Sequence, residues 1–209
     1  MNIEKGATSL DVIKEIISEH SEIASLTLIL HGVSINWRQR YGTDHQKVSH
    51  VEESLVQKTP IKSKTISRQD FLNLDEKTLD TNSKHQVWSL TSKVTTGDGR
   101  IMHLPMMNFH PTDDITTDDI VEFIKIVVPD KDGFVLHSGR YFHYYGCYLL
   151  TEDEWIKFNA KFLMPCVFVS PRYVGHVLQD GYSSLRFTND DKYKPTIPRV
   201  IHRIDNQTS

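Results

Sequence analysis

The sequence predicts an α+β fold, an antiparallel-rich sheet with helices packed against it. Helical apolar stripes recur along the chain, β-rich apolar runs separate them, and Thr96-Gly97-Asp98-Gly99 joins two of those runs as a hairpin. At 209 residues the chain is most simply one domain with a sizeable core.

The elements follow in order. Residues 9–20 form a helix capped by Ser9, with Leu10, Ile13, Ile16 and Ile17 as its apolar stripe. Residues 24–37 read as a strand, bent or turned back at Gly32. Residues 38–66 are polar and carry no clear pattern, and 67–79 read as a short helix with Phe71, Leu72, Leu74 and Leu79. Strands are expected at 87–94 and 100–109, the second stopped by Pro111. Thr116 or Thr117 caps the next helix, which turns Ile120, Phe123, Ile124 and Val127 inward. Residues 133–137 and 143–150 read as strands around a corner at 138–140. Thr151 and Glu154 make a capping box for a helix that buries Trp155, Phe158 and Phe162. A short buried strand at 166–169 precedes a helix capped by Ser170 with Pro171 at its first position. Residues 185–187 are a strand, and the basic 192–203 segment is extended in part.

Composition narrows the function classes. A net charge of −3 gives no global attraction to nucleic acid, so such a site must be local. Cys147 and Cys166 lack metal-motif or disulfide spacing and read as buried free thiols. No apolar run approaches the roughly 20 residues of a membrane span. The N-terminus lacks a signal-peptide core, which points to the cytoplasm. There is no glycine-rich phosphate loop, no GxSxG elbow, and no histidine spacing that identifies a metal site. Met102, Met106 and Met107 read as core.

Three stretches carry chemistry. The strand at 101–110 ends in Asn108-x-His110, where a two-metal enzyme would hold two carboxylates. Ser138-Gly139-Arg140 and His143 suit a triphosphate: a hydroxyl, a close backbone N–H, a guanidinium and an imidazole. Ser170-Pro171-Arg172 opens a helix, and Arg172 shares a helical face with His176. Beyond them, Arg186, Lys192, Lys194 and Arg199 interleave with tyrosines, a pattern suited to single strands.

In combination, these motifs resemble the archaeo-eukaryotic primase superfamily, including bacterial primase-polymerases and small bacterial primase-like proteins, over about residues 85–203. The resemblance implies one primase-polymerase-like domain with an RRM-like core. Residues 1–84 would be its N-terminal α/β part, and 85–209 the primase-like core with the three motifs and the basic tail. The superfamily's first motif is a strand with Asp-x-Asp, its second resembles Ser-x-x-x-His with variable spacing, and its third is an Asp closing a short strand. The matching positions here are Asn108 and His110, Ser138 and His143, and Ser170. Leu185-Arg186-Phe187, with Lys192 or Lys194, looks like the family's Leu-Arg strand and following basic segment.

Asn108, His110 and Ser170 at carboxylate positions take the site from three negative charges to none. Each lost pair removes about 4 kcal/mol of attraction at an effective dielectric near 20. Asp and Ser both cap helices, so Ser170 keeps the fold while deleting a charge. The expectation is a catalytically degenerate protein binding nucleic acid or nucleotide, with Ser138, Arg140, His143 and Arg172 on phosphate. No metal or other cofactor is expected; magnesium or manganese would enter only if the protein is active. That would need Asp113 or Asp114 to swing in, His110 to select a softer ion, or a partner to supply carboxylates. The alternatives are an active nucleotidyltransferase with an unusual Asn/His metal site, and a scaffold subunit docking a protein partner through 38–66. The resemblance permits a role in bacterial mobile-element or anti-phage defence assemblies.

Overall fold

The computed structural model describes residues 3–32, 55, 59–79, 85–111, 114–190 and 192–205. Residues 33–37 of the expected first strand, and most of the segment 38–66, lie outside the described residues, as does Asp113. Among the described residues the fold is α+β, with two antiparallel sheets and helices packed on them.

Strands β1 (Ile23–Gly32), β2 (Lys62–Ser67), β3 (Gln86–Thr96) and β4 (Ile101–His103) form the first sheet in the order β2-β1-β3-β4. The long β3 gives one edge to β1 and shares the other between β4 and β8 (Ser184–Arg186). Strands β5 (Met106–Phe109), β6 (Gly133–His137), β7 (Phe142–Gly146) and β9 (Arg199–Ile204) form the second sheet in the order β5-β7-β6-β9.

The second sheet is packed on both faces, and its alternation shows how. Met107, Phe109, Val135 and Tyr144 face one core, filled by Phe123 and Ile124 of α3 (Thr117–Val127), Phe158 and Phe162 of α4 (Glu152–Leu163), and Val174 of α5 (Pro171–Asp180). Met106, Phe134, Leu136 and Tyr145 belong to the other core, with Ile13, Ile16 and Ile17 of α1 (Ser9–Glu19) and Leu26, Leu28 and Leu90 of the first sheet. Asn108 has the parity of Met106 and lies at the end of that second face.

The predicted strand at 100–109 is two strands in two sheets. Pro105 has no N–H for a ladder, so β4 ends at His103 and the chain crosses to the second sheet before β5. A buried relay stitches the crossing. The Ser183 N–H donates to Ser92 Oγ at 3.0 Å, Ser92 Oγ lies 3.0 Å from His103 Nδ1, and His103 Nε2 lies 3.2 Å from the Glu152 carboxylate. Trp155 stacks on the same imidazole at 4.4 Å.

Other expectations need correction. Thr8, not Ser9, caps α1, because Asp11 three residues on closes a capping box with it. Ser9 is buried, its hydroxyl on the Phe187 carbonyl. The helix expected at 67–79 is the short α2 (Arg68–Leu72) and a 3-10 turn at Glu76–Thr78. The strand at 143–150 ends at Gly146. Residues 166–169 are not a strand, because Cys166 and Phe168 have φ of 55° and 61°. Cys166 is exposed and Cys147 half-buried; burial pushes the Cys147 thiol up to about 12. The capping box of Thr151 with Glu154 forms as expected, Thr116 is the cap of α3 and closes a box with Asp119, and Met106 and Met107 are core.

Candidate functional site

The three motifs converge at one end of the second sheet. Asn108 on β5 and His143 on β7 are direct cross-strand partners and share a face. His110 follows β5, and its N–H donates to the Phe168 carbonyl at 2.6 Å, which brings the strand end beside the loop leading into α5. Its ring lies 4.3 Å from that of Tyr141 and 6.4 Å from that of Tyr173 in the first turn of α5. Burial pushes the Tyr173 hydroxyl up, opposed by hydrogen bonding to Ser183 and the Asn108 backbone.

Ser170 stands at the N-cap position of α5 and Pro171 at its first turn, but the Ser170 side chain makes no cap bond, against expectation. Arg172 donates to His176 at 3.3 Å, as their helical spacing suggests.

His143 is 5% exposed, and its Nδ1 has no hydrogen-bond partner. Asn108 Oδ1 is likewise buried without one. Burial pushes the His143 imidazole well below its ordinary value, and Arg186, Lys194 and His110 push it the same way. The Ser138 hydroxyl donates to the Tyr141 carbonyl at 2.9 Å, so it braces the corner. Gly139 turns there with φ of +97°. Arg140 is exposed and lies over the Tyr141 ring at 5.5 Å; Lys194 lies over that ring at 5.7 Å.

The basic segment divides by role. Arg186 is buried, its guanidinium donating to the carbonyls of Ser138 (2.5 Å), Thr196 (2.7 Å) and Thr188 (3.0 Å). Burial pulls it down to about 10. It therefore joins three chain segments and does not face solvent as a nucleic-acid contact would. The Asp190 carboxylate accepts from the amides of Tyr193 and Lys194 and sets the loop that carries Lys194. Lys192 is exposed over Tyr193 at 5.1 Å. Arg199 donates to the Gly6 carbonyl at 2.7 Å, tying β9 to the N-terminal segment. Asp114 is exposed.

Two-metal chemistry needs anionic oxygen around the ions. The residues gathered here are an amide, two imidazoles and cations, and that donor set does not fit a pair of hard divalent ions. Among the described residues, no group of three or more His, Cys, Asp or Glu is placed to hold a metal ion. Tyr141 was not singled out from the sequence, whereas Tyr173 was read, with Tyr182 and Tyr193, as an aromatic interleaved with the basic residues. Tyr141 carried a signal, since it stands between Arg140 and His143 within one motif; the placement of Tyr173 beside His110 required α5.

Motif strands, a motif corner and a motif helix thus meet at one sheet end. The family model for archaeo-eukaryotic primase 1D-like proteins matches residues 67–199, and the chain belongs to that family. The match begins earlier than the resemblance at 85–203 and takes in α2 and every motif position named above. No curated protein and no solved structure matches the sequence. Among the described residues, no helix is long and apolar enough to cross a membrane.

Proposed function

We propose that this primase-like protein has lost metal-dependent nucleotidyl transfer and binds single-stranded nucleic acid or nucleotide. The observation that carries the reading is the sign of the charge around His143: Arg186, Lys194 and His110 act on it, and its cross-strand partner is the neutral Asn108. A cation pair would be repelled from that corner, whereas a phosphate would be drawn to it. Arg140, Lys192 and Lys194 offer positive charge beside Tyr141 and Tyr193, which suits a strand whose bases stack and whose phosphates pair. The family's association with larger bacterial assemblies, including defence systems, makes a protein partner part of the same proposal.

The test is a filter-binding titration of single-stranded DNA and RNA at low salt, where phosphate contacts are strongest. The expected result is binding that weakens steeply with salt and drops several-fold in the Arg140→Ala, Lys194→Ala double variant. No binding of either nucleic acid, or binding indifferent to both substitutions, would refute it.

A further inference from the structure

His103 is wholly buried, yet both of its ring nitrogens meet polar atoms: Ser92 Oγ at Nδ1 and the Glu152 carboxylate at Nε2. The carboxylate fixes which nitrogen carries the proton. Glu152 is half-exposed, and its ionised oxygens only accept, so Nε2 brings the N–H and Nδ1 keeps its lone pair. Ser92 Oγ already accepts from the Ser183 N–H, so its own proton goes to Nδ1. The relay thus runs one way, from the Ser183 amide through Ser92 and His103 to Glu152, with each donor matched to one acceptor. Ser, His and Glu in line suggest a hydrolase triad, but Ser92 is sealed from solvent and no substrate reaches its oxygen. The relay leads instead toward the candidate site. The buried Ser183 side chain faces the Tyr173 hydroxyl of α5, which also faces the Asn108 backbone. Next in the chain is β8, whose Arg186 holds the Ser138 corner.

We propose that His103 is a pH-sensitive joint, whose protonation turns the Ser92 hydroxyl away and loosens Ser183, Tyr173 and the strand end at Asn108 together. A second proton on the ring makes Nδ1 a donor. Ser92 Oγ then faces two N–H groups, and its own O–H is displaced from the acceptor the relay gives it, inside a sealed space. The charged groups facing the ring are Glu152 from α4 and Lys93 from β3, with Trp155 of α4 stacked on its face. Burial opposes the proton most, Glu152 favours it and Lys93 opposes it, and the balance holds the imidazole below its ordinary value. The joint is therefore closed at neutral pH and opens on acidification. Its effect on a ligand rests on the proposed binding function: opening weakens binding, and by linkage a bound strand holds His103 neutral.

Nuclear magnetic resonance of the full chain from about pH 8 to about pH 5 tests the joint, through the ring nitrogens of His103, the Ser183 amide and the Tyr173 ring. At the alkaline end His103 should carry its proton on Nε2. Across His103's own midpoint, exchange protection of the Ser183 amide should fall about tenfold, and the Tyr173 ring signals should shift. Glu152→Gln, at a half-exposed side chain, should lower that midpoint and carry the Ser183 and Tyr173 responses with it. That common movement separates them from titration of His110, whose ring lies 6.4 Å from that of Tyr173. Ser92→Ala should leave His103 titrating and abolish the Tyr173 response, with thermal melts confirming that the variant is folded; if it is not, the Glu152→Gln shift decides alone. A proton on Nδ1, or a Tyr173 response that stays in place when the His103 midpoint moves, overturns the joint. Single-stranded oligothymidylate at low salt should lower the His103 midpoint. If it binds and leaves that midpoint unchanged, the coupling to the site is refuted while the binding function stands. If neither it nor its RNA counterpart binds, the binding function falls, and the Tyr173 response alone upholds or overturns the joint.

Discussion

Replacing Arg186 with methionine separates a structural clamp from a nucleic-acid contact. The guanidinium holds carbonyls of the β6–β7 corner, of the residues after β8 and of the basic segment, at 2.5–3.0 Å. Hydrogen bonds from a charged donor contribute about 1.5–3 kcal/mol each, so three give about 5–9 kcal/mol. Burying the charge opposes this; the fall from 12.5 to about 10 corresponds to about 3 kcal/mol. Methionine fills part of the volume, and water reaches some of the released carbonyls. The expected loss is therefore at the lower end of the difference, about 2–4 kcal/mol. Urea denaturation followed by circular dichroism measures it directly. Arg186→Lys should lose nearly as much, because a single nitrogen cannot span carbonyls from three segments. A loss below about 0.5 kcal/mol, the size of a neutral surface change, would show that Arg186 is not the clamp inferred here.

Thr151→Ala should cost about 1 kcal/mol through its capping box, whereas Ser170→Ala should cost less than about 0.5 kcal/mol because Ser170 makes no cap bond; chemical denaturation of both reads the contrast. Gly133→Ala should destabilise by about 1–3 kcal/mol, since its Cβ would meet the Tyr144 ring at a separation no side chain tolerates and the Tyr145 carbonyl at 2.8 Å; the thermal midpoint shows it. Stability should fall as pH drops below about 6.5, because the folded state holds His103 and His143 below their ordinary value while the unfolded chain takes up protons there. Each imidazole contributes at most about 1.4 kcal/mol per pH unit, over the window between its unfolded and folded values. Melting curves at pH 7.5, 6.5 and 5.5 test this, and a flat profile would mean that the two rings are not held neutral.

Much of the fold was legible because its signals are local. The Thr151–Glu154 box, a threonine cap at 116–117, the Thr96–Gly99 turn and the stripes of α1, α3 and α4 depend on neighbours within a turn or two. Three features depend on distant partners and were missed. The two-sheet crossing at Leu104-Pro105 needs Ser92 and Leu150 to receive the backbone of 103–104. Strand β2 has one buried residue, Ile66, and takes its strand form from pairing with β1. The positive φ values of Cys166 and Phe168 go against their residue types, so the loop before α5 looked like a strand. At the site, the residue types at Asn108, His110, His143 and Ser170 were readable from motif order. Arg186's inward turn, and Tyr141's place between Arg140 and Lys194, required the fold.

The central claim is that the sheet end is electrostatically unsuited to paired divalent ions. Template-directed incorporation of labelled nucleotides on primed and unprimed single strands, with magnesium and with manganese, tests it most directly. The predicted result is no incorporation above a protein-free control with either ion. Incorporation that Asn108→Ala or His110→Ala abolishes would contradict it.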